Sequence, residues 1–137
     1  MKKKTPISEI MTTNIISVDK SQTLNEVADL IEEHNFRHVP VVSGKKIVGM
    51  LSQVDLGKIS FINTFDGLEM TDAMFDALTI EQVMTRSLTT VQSSDTIYDV
   101  ALNLSESEFH ALPVLDGEDL VGIVTSTDLI KYLVAQF

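Results

Sequence analysis

The chain is written twice. A shift of 73 residues lays Ile7–Ile59 on Ile80–Tyr132 without a gap, and 18 of the 53 paired positions are identical. Met11-Thr12 returns as Met84-Thr85, Val27-Ala28 as Val100-Ala101, Pro40-Val41 as Pro113-Val114, Val48-Gly49 as Val121-Gly122 and Asp55-Leu56 as Asp128-Leu129. Two copies of so long a period do not make a stacked solenoid, whose repeats need several neighbours to bury a continuous core. Two similar halves packed about a pseudo-two-fold axis are expected instead, with related clefts where they meet. Function is sought in those clefts.

Each repeat reads as strand, helix, strand, strand, helix. Asn14–Val18 and Ser87–Val91 are short and rich in β-branched and aliphatic residues, as strands are. Thr23-x-x-Glu26 and Thr96-x-x-Asp99 have the spacing of capping boxes that open helices. Behind them Leu24, Val27, Ala28 and Ile31 share one helical face, and Ile97, Val100, Ala101 and Leu104 repeat it. Val39–Val42 and Ile47–Leu51 flank Ser43-Gly44-Lys45-Lys46, read as a four-residue hairpin. Leu112–Leu115 and Leu120–Val124 do the same around Asp116-Gly117-Glu118-Asp119. A closing helix starts near Val54 and near Thr127. The boundaries are therefore repeat 1 at 7–59, a linker at 60–79 and repeat 2 with a C-terminal helix at 80–137.

The linker carries Phe61, Ile62, Phe65, Leu68, Met70, Met74, Phe75 and Leu78, too apolar for a solvated tether, so Asp72–Ala77 is expected to be helical and packed. The C-terminal run Leu129–Phe137 is apolar nearly all round. A terminal helix without a polar face needs a partner beyond its own domain, so a homodimer is expected.

Composition narrows the function classes. At 44% apolar the chain can build a core, and no apolar run reaches the roughly 18 residues that span a bilayer. Lys2-Lys3-Lys4 is followed by Thr5-Pro6 rather than an apolar stretch, so no signal peptide is read there. There is no cysteine for disulfides or thiolate ligands. A soluble cytoplasmic protein without a membrane partner is the expectation. The net charge of −10 is lopsided: residues 60–137 carry two Lys/Arg against thirteen Asp/Glu. Such a surface repels polyphosphate, so nucleic acid is not an expected partner. His34, His38 and His110 are scattered, so no metal site is expected.

The string Gly49-Met50-Leu51-Ser52-Gln53-Val54-Asp55 returns as Gly122-Ile123-Val124-Thr125-Ser126-Thr127-Asp128. Two readings of it stay open. Ser/Thr-x-x-Asp is a capping box. The same geometry also suits a nucleotide: amides at a helix N-terminus favour phosphate, a hydroxyl can donate to it, and a carboxylate can accept both hydroxyls of a ribose. No histidine or lysine stands at a spacing that would make Ser52 or Thr125 a nucleophile, so an enzyme is not expected.

The duplicated pattern resembles a tandem pair of cystathionine-β-synthase (CBS) domains, or Bateman module. The residues that carry the resemblance are Ile10-Met11-Thr12 and Val83-Met84-Thr85, Val39-Pro40-Val41-Val42 and Leu112-Pro113-Val114-Leu115, and the two Gly-x-x-Ser/Thr-x-x-Asp strings. The resemblance implies an α/β fold, an α+β sandwich of two pseudo-symmetric β-α-β-β-α repeats packed sheet to sheet. It implies that the inter-repeat clefts bind AMP, ADP, Mg-ATP, S-adenosylmethionine or sometimes NAD as ligand, with no required cofactor. Asp55 and Asp128 would hold the ribose, and Ser52 and Thr125 would lie near ribose and phosphate. Thr13-Asn14-Ile15 and Arg86-Ser87-Leu88 would line the adenine slots. Arg37 and His38, just before the Pro-Val strand of Pro40, would meet phosphate; repeat 2 has His110-Ala111 before Pro113 in their place. If each cleft joins an Asp of one repeat to basic residues of the other, Asp128 with Arg37 and His38 makes the better-equipped site. One effective site is expected, preferring AMP, ADP or S-adenosylmethionine over ATP.

The functional expectation is a non-catalytic regulatory module that senses an adenosine compound and signals through its repeat or dimer geometry to a regulated protein. The alternative is a dimeric interaction scaffold with degenerate clefts, acting through Phe61, Phe65 and Phe75 of the linker.

Overall fold

The computed structural model describes residues 4–57 and 77–137. Strand β1 (Val18–Asp19), helix α1 (Leu24–His34), strands β2 (His38–Ser43) and β3 (Lys46–Ser52) and helical residues 53–57 form the first series. Strand β4 (Val91–Gln92), helix α3 (Ile97–Ser105), strands β5 (Ala111–Asp116) and β6 (Asp119–Thr125) and helix α4 (Ser126–Ala135) form the second. The mixed α and β character and the order strand, helix, strand, strand, helix are those read from the sequence. Each series is preceded by a short turn of helix that the hydrophobic periodicity did not announce: a 3-10 turn at Ile7–Glu9 and helix α2 at Ile80–Val83. The second had a legible signal. Thr79 and Gln82 form a reciprocal capping box, the Thr79 amide donating to Gln82 Oε1 at 2.8 Å and the Gln82 amide to Thr79 Oγ1 at 3.3 Å.

Within each series the second strand is central. In the first, β1 runs parallel to β2, Val18 opposite Val41, while β2 and β3 are antiparallel with Val39 opposite Leu51. In the second, Val91 lies opposite Val114 and Leu112 opposite Val124. Thr23 and Thr96 cap the helices, accepting from the amides of Glu26 and Asp99 at 3.1 Å, as simple N-caps rather than the reciprocal boxes expected; the Glu26 carboxylate accepts from the Gln22 side chain instead.

The compact units do not follow the repeats. One comprises Ile16–Leu88; the other joins the segment ending at Ile15 to Thr89–Phe137. The leading segment of each repeat is thus built into the unit of the other. Ile80 and Met84 pack in the core made by Val18, Leu24, Val27, Ile31, Val39, Val41, Leu51 and Leu56. Ile7 packs in the core made by Val91, Ile97, Val100, Leu104, Leu112, Val114 and Val124. Backbone bonds fix the second of these exchanges, the Ile7 amide donating to Asp95 O at 2.7 Å and the Ile97 amide to Thr5 O at 2.8 Å. A two-layer helix-on-sheet unit needs apolar cover along its whole sheet face. Ile7 and Ile80, both fully buried, supply the last of it.

Two local expectations are corrected. The strands expected over Asn14–Val18 and Ser87–Val91 shrink to Val18–Asp19 and Val91–Gln92. The residues before Val18 and Val91 have β-type side chains but are not buried and join no ladder, so composition overstated the strand. The hairpins are tighter than four residues. Strand pairing continues to Ser43–Lys46 and Asp116–Asp119, leaving Gly44-Lys45 and Gly117-Glu118 as the turns. Gly44 and Gly117 take φ of +67° and +66°, the left-handed region that glycine enters without steric cost.

Helix α4 has no buried residue. Leu129 and Tyr132 pack partly against the core of their unit, while Ile130, Leu133, Val134 and Phe137 are exposed. Of the helix expected over Asp72–Ala77, Ala77 is helical and residues 72–76, with the linker residues Phe61, Phe65 and Phe75, lie outside the described residues. Among the described residues no helix is long and apolar enough to cross a membrane.

Candidate functional site

Both motif turns are capping boxes. Strand β6 ends at Thr125, whose extended backbone turns the chain into α4; its hydroxyl accepts the Asp128 amide at 3.1 Å and its amide donates to Asp128 Oδ2 at 2.9 Å. Ser52 does the same at the end of β3, accepting from the Asp55 amide at 3.0 Å and donating to Asp55 Oδ2 at 3.1 Å. The capping reading of the motif is therefore realised, and it leaves Oδ1 of each carboxylate outside the box. Both aspartates are half-buried at the first turn of their helices, where the exposed amides of a helix N-terminus favour negative charge.

The leading segments lie beside these turns, and the motif glycines are the reason they can. Thr12 exchanges two backbone bonds with Ile123 at 2.8 and 2.9 Å, and Thr85 exchanges two with Met50 at 2.9 and 3.0 Å. A Cβ on Gly122 would stand 2.6 Å from Met11 Sδ and 3.0 Å from Thr12 O; one on Gly49 would meet Met84 and, at 3.1 Å, Thr85 O. Each Gly therefore admits the Met-Thr pair of the other repeat rather than a ligand.

This docking assigns the sequence-read residues to two sets. Thr13-Asn14-Ile15 follow Thr12 in the unit of Thr125, Asp128 and His110; Thr13, Asn14 and His110 are exposed. Arg86-Ser87-Leu88 follow Thr85 in the unit of Ser52, Asp55, Arg37 and His38; Arg86, Ser87, Arg37 and His38 are exposed. Arg37 and His38 thus belong to the unit of Asp55, and His110 to that of Asp128. The loops before the Pro-Val strands are tied to the motif helices through backbone, Gln53 N donating to Arg37 O at 3.0 Å and Ser126 N to His110 O at 2.9 Å. Arg86 is engaged locally, its guanidinium 3.5 Å from the Glu81 carboxylate and 3.4 Å from the Glu81 carbonyl. Pro40 and Pro113 are buried inside their strands, opposite Met50 and Ile123. They shape the sheet against which the Met-Thr segments lie.

One site residue was not singled out in the sequence. Thr12 donates its hydroxyl to Asp128, 3.2 Å from Oδ1 and 3.3 Å from Oδ2. Its only signal was membership of the repeated Ile/Val-Met-Thr string. A half-buried carboxylate ringed by hydroxyls and amides can accept a vicinal diol. Among the described residues no cluster of His, Asp and Glu could hold a metal ion.

A family model described as CBS domain matches residues 7–59 and 80–135. Among curated proteins, the L-aspartate semialdehyde sulfurtransferase of Methanosarcina acetivorans is 29% identical over 133 residues, which is 96% of this chain but 24% of that protein. The CBS domain-containing protein YhcV of Bacillus subtilis is 28% identical over 123 residues, 90% of this chain and 81% of that one. Among solved structures, the CBS domain pair of protein MJ0100 in complex with 5′-methylthioadenosine and S-adenosyl-L-methionine superposes with a TM-score of 0.72 at 26% identity, covering 97% of this chain and 98% of that one. The chain spans about a quarter of the length of the sulfurtransferase it matches.

Proposed function

This chain belongs to the CBS-domain family, matched over both of its repeats, and from that premise we propose that it is a non-catalytic regulatory module for an adenosine-containing ligand. Asp128 is its principal ribose acceptor, with the exposed Thr13-Asn14 and Ile15 as the adenine-facing segment. The observation that carries the reading is the carboxylate of Asp128: it sits at a helix start, held by the Thr125 amide and the Thr12 hydroxyl, with an exposed polar segment following directly from Thr12. The ligand complex of the MJ0100 pair favours S-adenosylmethionine and 5′-methylthioadenosine alongside AMP and ADP as candidates. The acidic second half opposes a bare triphosphate, so Mg²⁺ would be needed for ATP. The exposed apolar side of α4 fits a homodimer as the signalling unit, in the cytoplasm, with the downstream partner a separate protein.

Thermal unfolding against AMP, ADP, ATP with and without Mg²⁺, S-adenosylmethionine, 5′-methylthioadenosine and NAD tests the reading. A ligand at 100 times its Kd stabilises by about 2.7 kcal/mol. We expect a shift with at least one adenosine compound, abolished by Asp128→Ala and largely kept by Asp55→Ala. Equal losses in the two variants would overturn the single-site assignment; no shift with any compound would overturn the sensor.

A further inference from the structure

We propose that Thr12 is the positioning residue that sets the Asp128 carboxylate for a vicinal diol, and so makes this site discriminate ribose from 2′-deoxyribose. The inference rests on the ligand reading above and goes beyond it by naming the residue that separates the two halves of the duplicated chain.

Thr12 is held as a fixed donor. Its backbone is locked to Ile123 by two hydrogen bonds, and Met11 before it fills the space left by Gly122. From that position the hydroxyl reaches both carboxylate oxygens of Asp128 at nearly equal length, 3.2 and 3.3 Å, as one proton shared between two acceptors does. The carboxylate is then gripped from two sides: by the Thr125 amide within its own helix start, and by a hydroxyl 116 positions away in sequence. The Thr125 amide takes one acceptor position on Oδ2 and the Thr12 proton is shared over both oxygens, so the carboxylate is oriented before the 2′ and 3′ hydroxyls of a ribose reach it.

The other unit shows what is missing without this grip. Thr85 is locked to Met50 as Thr12 is to Ile123, and Met84 lies over Gly49 as Met11 does over Gly122. Asp55 accepts the Ser52 amide as Asp128 accepts that of Thr125. Yet among the described residues Thr85 makes no hydrogen bond to Asp55, so that carboxylate is oriented from one side alone. Both repeats carry Met-Thr, Gly and Asp here, with Ser52 in place of Thr125 and Met50 in place of Ile123, and the contacts compared differ in a single hydroxyl bond. An acceptor already oriented loses less conformational freedom on binding, which raises affinity and sharpens the penalty for a ligand lacking one of the two hydroxyls.

The test is isothermal titration of AMP, S-adenosylmethionine and 5′-methylthioadenosine into wild type, Thr12→Val, Thr12→Ser and Thr85→Val, followed by the 2′-deoxy form of the compound bound. We expect Thr12→Val to weaken binding about tenfold and to bring the ribose and 2′-deoxyribose affinities close together. Thr12→Ser should restore both, and Thr85→Val should change neither by more than about twofold. A role confined to backbone packing would shift the melting temperature in Thr12→Val without changing the ribose preference. Wild type that binds one of the compounds while Thr12→Val keeps its affinity and preference overturns this inference and leaves the sensor standing. Wild type that binds none overturns both. If Thr12→Val does not fold, Thr12→Ala replaces it under the same criteria.

Discussion

Replacing Ile7 by alanine deletes three carbons from a side chain with no solvent exposure, one that belongs to repeat 1 by sequence and to the β4–β6 core by packing. At about 0.8 kcal/mol per buried methylene the transfer loss alone is about 2.4 kcal/mol. Its neighbours Val91, Leu112, Val114 and Val124 are held by the sheet and cannot collapse fully onto the void, so a cavity cost adds to this and about 3–4 kcal/mol is expected. In a chain of this size that lowers Tm by on the order of 10 °C. Urea unfolding measures the total, and amide hydrogen exchange assigns it to a unit. Amides of β5 and β6 should lose at least as much protection as those of β2 and β3, although Ile7 precedes the latter pair in its own repeat. A loss under about 1 kcal/mol, or protection lost first in β2 and β3, would refute the exchange of leading segments. Ile80→Ala, equally buried in the other core, should give the opposite order.

Gly122→Ala should destabilise by about 1–3 kcal/mol in urea titration, because the new methyl collides with Met11 and approaches Thr12 O to 3.0 Å; Met11→Ala should relieve part of the cost, and a neutral Gly122→Ala would disprove the close approach. The Ser21 amide and hydroxyl, with the Gly44 amide, hold the Asp19 carboxyl below its usual range. Its contribution to stability is therefore present above the ordinary carboxylate pKa near 4 and fades as pH falls through the lower folded value. Asp19→Asn should accordingly flatten the acid limb of stability against pH, and an unchanged limb would dismiss the contribution. The counterpart Gln92 makes two uncharged bonds to Gly117, both at 3.0 Å. Leu133→Asp, on the exposed side of α4, should halve the mass seen by light scattering; an unchanged mass would exclude that face as the dimer contact.

The amino-acid sequence determined what depends on neighbours along the chain. The repeat, the helices that open at Thr23 and Thr96, the glycine-centred hairpins and the capped turns at Ser52 and Thr125 rest on periodicities and spacings of a few residues. Those are local forces, and they act alike in both copies. The extent of β1 and β4 was misjudged because β propensity measures fit to a partner strand, and only Val18 and Val91 with their followers find one. Tertiary structure decided which core receives Ile7 and which receives Ile80, since either core is apolar enough to accept either residue and only the path of the backbone selects. It also decided that the Thr12 hydroxyl reaches Asp128 while that of Thr85 makes no such bond to Asp55. A hydrogen bond is won or lost within a few tenths of an ångström, and two segments can carry the same residues while long-range packing places their side chains that far apart.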